Sequence, residues 1–385
     1  MIVGVPKEIY PGERRVALVP AVVPSLVKAG MEVLVESGAG VQSGYPDDAY
    51  AAKGARISGG RDEVFGRADV VLQVLCHGAN DVSGAEDLPR MRPGQAVIGF
   101  LRPLASPRAV RELAERGVTS IAVELVPRTS RAQAMDVLSA MATIAGYKAV
   151  LLAAETLPRM FPMLMTAAGT ISPAHVLVIG AGVAGLQAIG TARRLGAVAS
   201  AYDLRPAAQE QIRSVGGRVV ELPIDTADAE GAGGYAKAQG EDFYRRQREL
   251  LGAVVAESDV VITTAAVPGA KAPVLVTADM VERMTPGSVI VDLAAERGGN
   301  CELTRRNEKV ERHGVTIFGL VNLPGTVPFH ASQLYARAAA NFLLHLAPQG
   351  TFDLERDDDI VREPIVTRGG EVVHPRVLET LATEA

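Results

Sequence analysis

The sequence predicts an α/β fold built from two doubly wound parallel-sheet domains. Short apolar runs of strand length alternate with longer stretches at helical spacing almost throughout, the pattern of parallel strands with crossover helices. At 385 residues the chain exceeds the size at which a single core keeps growing, so two domains are expected. Hydrophobic residues make up 48% but aromatics only 4%, with no Trp, so the core must come from Val, Ala, Leu and Ile, as in buried parallel strands.

In the N-terminal third, strands are expected at IVGVP (2–6), EVLVES (32–37), VVLQVL (70–75), AVIGFL (96–101) and TSIAVEL (119–125). Segments between them, such as PAVVPSLVKAG (20–30), carry apolar residues at helical spacing and a terminal Gly suited to a C-cap. A long helical stretch from near Ser130 to about Leu157 is placed to join the domains. Further strands follow at RVVEL (218–222), DVVITTA (259–265), SVIVDLA (288–294) and TIFGL (316–320), then a helix and a hairpin-like PIVTRGGEVVHP (364–375). A terminal helix after the second sheet can return to the first domain, which makes that domain discontinuous. The expected division is 1–138 plus 325–385 and, for the second domain, 139–324 with a mobile loop at 224–245.

A net charge of −5 gives no electrostatic reason to expect nucleic acid or an anionic membrane surface as partner. Cys76 and Cys301 are too few for a disulfide framework, which suits a reducing compartment. His77 beside Cys76 lacks further ligands at metal spacing. The N-terminus lacks a charged region followed by an apolar one, and no run approaches the ~18 apolar residues of a spanning helix, so a soluble chain with neither signal nor span is expected.

After the strand VLVI come Gly180, Gly182 and Gly185, matching G-x-G-x-x-G, and Asp203 follows Gly185 by 18 residues at the next strand end. The first glycine makes the tight turn, the second lets backbone approach a pyrophosphate, and the third permits close helix–strand packing. Strand, glycines, helix, strand and acid stand in the order of a Rossmann-like dinucleotide site, with the pyrophosphate at the helix N-terminus. Asp203 can accept from a ribose 2′-hydroxyl and repel a 2′-phosphate, so NAD(H) is favoured over NADP(H), although the neighbouring Arg205 can accommodate that phosphate.

Reducing a carbonyl takes a hydride and a proton, hence normally a general acid. Of the six histidines only His330, in GTVPFH, remains as a catalytic outsider; the others read more easily as structural. PKEIYPGERRVALVP, PRTSRAQAMDVLSAMATIAGYKAV, MTAAGTISPAHVLVIGAGVAGLQAI, GGYAK, ITTAAVPGAKAPVLV, GSVIVDLAAERGGNCE and VTRGGEVVHP together resemble the NAD(H)-binding component of proton-translocating nicotinamide nucleotide transhydrogenase. The resemblance covers nearly the whole chain, with RTSRAQAMD and GGYAK the most discriminating stretches. PKE, RRVAL and NLPGTVP also resemble the alanine dehydrogenase family, which uses a Lys and a His in its first domain to hold and protonate an oxo-acid; this chain reads Gln73 and Arg102 there.

Direct transfer between two nicotinamides needs no acid, only near-attack geometry with reacting atoms about 3 to 3.5 Å apart. With a single fingerprint here, the second nucleotide must come on another chain. The resemblance implies NADP(H) on a partner subunit joined to a membrane-embedded channel, a homodimer, and a cytoplasmic location on the inner face of the membrane through those partners. A stand-alone alanine dehydrogenase-like oxidoreductase and an NAD-sensing module are the alternatives.

The resemblance places Arg128, Gln133 and Asp136, with Ser139 and Tyr235, at the reacting end of the nucleotide. Gln133 and Asp136 share a helix face at i, i+3 spacing. Ser130 and Gln133 also form a capping-box pattern, which alone would explain Gln133 as a helix start. Tyr235 lies in a long glycine-bearing connection, read as a lid over bound nucleotide. The other expected nucleotide contacts are Val183, Leu204, Gly234, and the strand-end residues Thr264, Ala265, Pro268 and Gly269. Glu296 and Asn300 in DLAAERGGNCE are divided evenly between loop hydrogen bonding and a site role.

Overall fold

The structure, a computed structural model, describes residues 1–224, 240–265 and 271–384. The chain divides into two compact units, Met1–Met141 with Pro324–Ala385, and Ala142–Leu323.

In the first unit the strands are β1 (Ile2–Val5), β2 (Glu32–Glu36), β3 (Arg56–Ser58), β4 (Val70–Leu75), β5 (Ala96–Phe100) and β6 (Thr119–Ala122). They lie in the order β3-β2-β1-β4-β5-β6, all parallel. The C-terminal hairpin, Ile365–Arg368 against Glu371–Val372, pairs antiparallel onto β6 and extends the sheet. Its Thr367 hydroxyl accepts from Ser120 N (3.0 Å) and donates to Val118 O (2.7 Å), so a buried side chain from the chain's end bonds the backbone at β6. Phe65, Val71, Val97, Leu113, Val118, Val366 and Val377 share one core cluster, in keeping with the aliphatic composition.

The second unit opens with a small exposed hairpin, β7 (Leu164–Thr166) and β8 (Gly169–Ile171), that periodicity did not announce. Its sheet comprises β9 (His175–Ile179), β10 (Val198–Tyr202), β11 (Arg218–Val219), β12 (Val260–Thr263), β13 (Val289–Asp292), β14 (Lys309–Arg312) and β15 (Val315–Phe318), in the order β11-β10-β9-β12-β13-β15-β14. Only β14 runs antiparallel. Both units therefore share the doubly wound order 3-2-1-4-5, with the switch between the first and fourth strands; the first unit continues with β6, whereas in the second β15 comes next and the antiparallel β14 takes the edge.

Two expectations need correction. The helical stretch from Ser130 is not continuous: a 3₁₀ segment, Ser130–Met135, ends at Asp136 (φ −76°, ψ 88°), and an α-helix then runs Val137–Thr156. Residues 241–245, assigned to the mobile loop, instead begin the helix Glu241–Ala256, where Asp242 pairs with Arg245 (3.0 Å) and Glu241 with Arg248 (2.6 Å).

The helix Val137–Thr156 also corrects the expectation about apolar length. With a mean hydropathy of 1.7 over its most apolar window, it is long and apolar enough to cross a membrane by length and composition. Thr143, Tyr147 and Lys148 interrupt the letters and hide this in the sequence. Here Ala149, Val150 and Ala153 lie in the core with Val176 and Val178 of β9. At Gly146 a Cβ would stand 2.0 Å from Ala184 O, in the first turn of the helix Val183–Arg194, so the two helices touch backbone to backbone.

Replacing Gly by Ala inside a helix ordinarily stabilises by roughly 1 kcal/mol. Gly146→Ala should reverse that sign and cost about 1–3 kcal/mol, because the added methyl meets backbone that cannot rotate aside. Denaturant unfolding measures it; an unchanged or higher midpoint would mean that the helices separate freely.

Candidate nucleotide site

The turn from β9 into Val183–Arg194 shows the separate tasks of its three glycines. Gly180 sits at φ +99°, and a Cβ there would lie 2.5 Å from Thr264 Oγ1. Gly182 is the exposed N-cap of the helix, and a Cβ there would meet nothing within 4 Å. At Gly185 a Cβ would stand 1.9 Å from Gly180 O. The first is thus fixed by conformation and the third by packing, whereas the second leaves open space at a helix start, Val183 included, whose N–H groups have no side-chain cap.

Asp203 ends β10 beside this turn. Its carboxylate accepts from Ala181 N (2.7 Å), Arg205 N (2.8 Å), Arg205 Nε (2.9 Å) and an Arg205 terminal nitrogen (2.9 Å). Arg205, which the sequence left as a rival reader of a 2′-phosphate, is bonded through two guanidinium nitrogens to Asp203 itself; Leu204 between them is buried. Thr264, at the end of β12, donates to Gly180 O (2.9 Å) and fastens the two strand ends together, with Ala265 next to it. Pro268, Gly269, Gly234 and Tyr235 lie outside the described residues.

One organising residue escapes a reading of the sequence. Asp292, fully buried at the end of β13, accepts from Thr263 Oγ1 (2.9 Å), Ala294 N (3.0 Å), Asn300 N (2.8 Å), Cys301 N (3.0 Å) and Thr304 Oγ1 (2.7 Å). The available signal was an acid closing an apolar strand. Asn300, held by this cage, donates to Ala265 O and Pro273 O, both at 2.8 Å, so it does bond the loops at the nucleotide edge.

The Arg128 cluster lies in the first unit. Asp136 is the N-cap of Val137–Thr156: its Oδ1 accepts from Ser139 N (2.8 Å) and its Oδ2 from Ser139 Oγ (2.6 Å). Arg128 donates to Ser139 Oγ (3.0 Å) and places its Nε 3.7 Å from Asp136 Oδ2. The capping box expected at Ser130 and Gln133 does not form; Thr129 starts the 3₁₀ segment without a side-chain cap. Gln133 and Asp136 do not share a helix face either, since Asp136 has left helical geometry. Gln133 is exposed and its amide makes no hydrogen bond among the described residues. Arg128, Asp136 and Ser139 are thus brought together, with Gln133 one turn away. His330 is exposed, edge-on to Phe329.

A doubly wound sheet, a glycine turn satisfying all three backbone demands and an acid on the following strand define a dinucleotide-binding class of protein. The chain belongs to the alanine dehydrogenase/PNT family: the N-terminal domain description matches residues 4–145 and the C-terminal one 149–375. It is 43% identical over 381 residues to NAD(P) transhydrogenase subunit alpha of Cereibacter sphaeroides, covering 97% of this chain and 71% of that one. It is 32% identical to alanine dehydrogenase of Bacillus subtilis over 100% of this chain and 96% of that one. The crystal structure of transhydrogenase from Sinorhizobium meliloti superposes with a TM-score of 0.84 at 41% identity, covering 97% of this chain and 99% of that one.

The first unit has its own switch point, between β1 and β4, and fills it with its own side chains. Glu8 accepts from Val74 N (2.6 Å) and Leu75 N (3.2 Å); Glu13 takes Arg15 through both carboxylate oxygens; Asp87 takes Arg61 likewise and Gln73 Nε2 (3.1 Å). Tyr335 donates to Gln73 O (2.7 Å). Gln73 carries no titrating proton, and Arg102 sits at φ +53° with its N–H bonded to Glu124 Oε1.

Burial, with Glu13 nearby, pushes the Glu8 carboxyl up to about 8 against its two backbone donors and Arg61. The folded protein thus holds a proton that the unfolded chain releases near 4.5. This contribution to stability is complete below the unfolded value and is lost as pH rises towards about 8, over a range on the order of a few kcal/mol. Glu8→Gln should flatten that decline when unfolding is measured from pH 5 to 8; an identical slope in both proteins would show that Glu8 ionises freely in the fold.

Proposed function

We propose that the chain is the NAD(H)-binding peripheral subunit of a proton-translocating transhydrogenase, passing hydride directly between NAD(H) and NADP(H) held on a partner subunit. The observation that carries the nucleotide half is the glycine turn, where only Gly182 offers open backbone. Likeness to a transhydrogenase alpha subunit over nearly all of this chain supports the rest. On this reading the chain works as a homodimer, cytoplasmic and peripheral, through membrane-embedded partners.

The nicotinamide C4 supplies or receives the hydride, and no proton is exchanged with a substrate. The protein's task is then orientation and exclusion of water. The Val183–Arg194 N-terminus holds the pyrophosphate and Asp203 the adenosine ribose; Thr264 and Ala265 follow the end of β12, and the resemblance adds Pro268 and Gly269 as nucleotide contacts. Arg128, Gln133, Asp136 and Ser139 fix the nicotinamide end, and the resemblance assigns Tyr235 and Gly234, outside the described residues, to the same nucleotide. The alanine dehydrogenase alternative lacks a group for its proton step, since Gln73 and Arg102 stand at the positions in question.

Two tests follow. Arg205 neutralises Asp203, so Arg205→Ala should widen the preference for NADH over NADPH by about tenfold, and Asp203→Ala should narrow it similarly. Equal shifts of both affinities in either variant would refute the assignment of the ribose end. For the reacting end, Asp136→Asn keeps the cap, because Asn and Asp serve equally there. It should slow single-turnover hydride transfer in the complex with an NADP(H)-binding partner on the order of 100-fold, while NADH affinity and melting temperature barely move. Gln133→Asn should behave alike. Normal transfer in both, or alanine-dependent NAD⁺ reduction by the chain alone, would sink the proposal.

A further inference from the structure

The Gln133 amide has no hydrogen-bond partner among the described residues, so its position depends on the backbone of Ser130–Met135. That backbone is tied on both sides of Gln133 to the C-terminal part of the first unit. Two residues before it, Arg131 donates to Asp358 Oδ1 (2.8 Å); one residue after it, Ala134 O accepts from Asn341 Nδ2 (3.0 Å). Ala132, between the ties, is 1% exposed.

Asp358 is itself fixed from three directions. His345 Nε2 lies 2.9 Å from its Oδ2, Ile360 N donates to its Oδ1 as it caps the helix Asp359–Arg362, and Arg356 stands 3.9 Å away. Arg356 also donates to His345 O (2.8 Å). Asn341 and His345 are one turn apart on the helix Pro328–Leu346. The ties are therefore anchored in a rigid helix and its following loop.

We infer that Arg131, Asp358 and Asn341 form a clasp that positions Gln133 for hydride transfer; this rests on the reading of Gln133 and Asp136 given above. None of the three is assigned contact with nucleotide. They are positioning residues, acting through the 3₁₀ segment. Arg131 is 70% exposed and Asn341 is exposed, so their removal costs the fold little. The effect falls on a side chain whose misplacement by about 1 Å can cost 100-fold in rate.

The experiment uses the full chain with an NADP(H)-binding partner and compares single-turnover transfer, NADH affinity and melting temperature for Arg131→Ala, Asp358→Asn, Asn341→Ala and the Arg131→Ala/Asp358→Asn pair. Each single change should slow transfer about tenfold with affinity within about twofold, and Arg131→Lys should recover part of the rate. The pair should be no slower than Arg131→Ala, since Arg131→Ala removes the tie that Asp358→Asn weakens by taking away its charge. A slow Arg131→Ala beside normal Asp358→Asn and Asn341→Ala would overturn the clasp, because Arg131 would then act alone on ligand or partner. Parallel losses of affinity and rate would overturn it as well. Asp136→Asn in the same series keeps the two readings apart: if it transfers normally, the cluster reading fails and takes the clasp with it, whereas a slow Asp136→Asn beside a normal clasp series refutes the clasp alone.

Discussion

The nucleotide unit depends on two backbone contacts that leave no room for a side chain. Gly185 lies against Gly180 O and Gly146 against Ala184 O, so the first turn of Val183–Arg194 is gripped on two sides by main chain. Neither contact can be relaxed by a rotamer change, and both fix where the helix begins. The direction of its open N–H groups at Gly182 follows from that. Thr264, bonded to Gly180 O, carries the constraint to β12.

Around these contacts, carboxylates do the organising. Asp136 starts a helix, Asp203 gathers a turn with its own neighbouring arginine, and Asp292 collects five donors from three segments. In each case the acid stands at the end of an element, where orphan N–H groups accumulate and a short acceptor satisfies several at once. The same acids then present defined edges to whatever approaches, so structural and binding roles coincide. Asp136 is the sharpest instance: as cap it needs only an acceptor, while its Oδ2 faces both Ser139 Oγ and Arg128, a charge-dependent arrangement that capping alone does not require.

Much of this was legible in the letters. The glycine turn was, because φ above zero and backbone contact restrict a position to one residue type. Strand positions were, because buried parallel strands read as apolar runs. The Arg128 cluster was legible as a group but not in its internal bonding. S-x-x-Q at Ser130 and D-x-x-S at Asp136 are both cap patterns, six residues apart, and local sequence does not rank them. The choice comes from elsewhere in the first unit, where Asn341 and Asp358 hold the first segment in a 3₁₀ turn. Arg205 and Asp203 both stand out in the sequence, yet their pairing depends on side-chain directions that letters do not carry. Asp292 is not legible in the sequence, because one acid at a strand end looks like a turn residue.

The two units share the order of their first five strands and differ in what stands at the switch point, which separates fold from function within a single chain. In the second unit the turn that follows β9 carries three glycines and leaves open space at Gly182, suited to an anion that must come close. In the first, the edge between β1 and β4 is filled by Glu8, Glu13, Arg15, Gln73 and Asp87, and its carboxylates bond the chain's own amides and guanidinium groups. That edge is thus engaged largely with the chain's own groups. The first unit also carries a segment, Arg128 to Ser139, fixed at one end by the Asp136 cap and along its length by Asn341 and Asp358. The discontinuity of the chain makes this possible: the C-terminal part of the first unit extends the sheet through Thr367 and, at Asn341 and Asp358, also supplies the anchors for that segment.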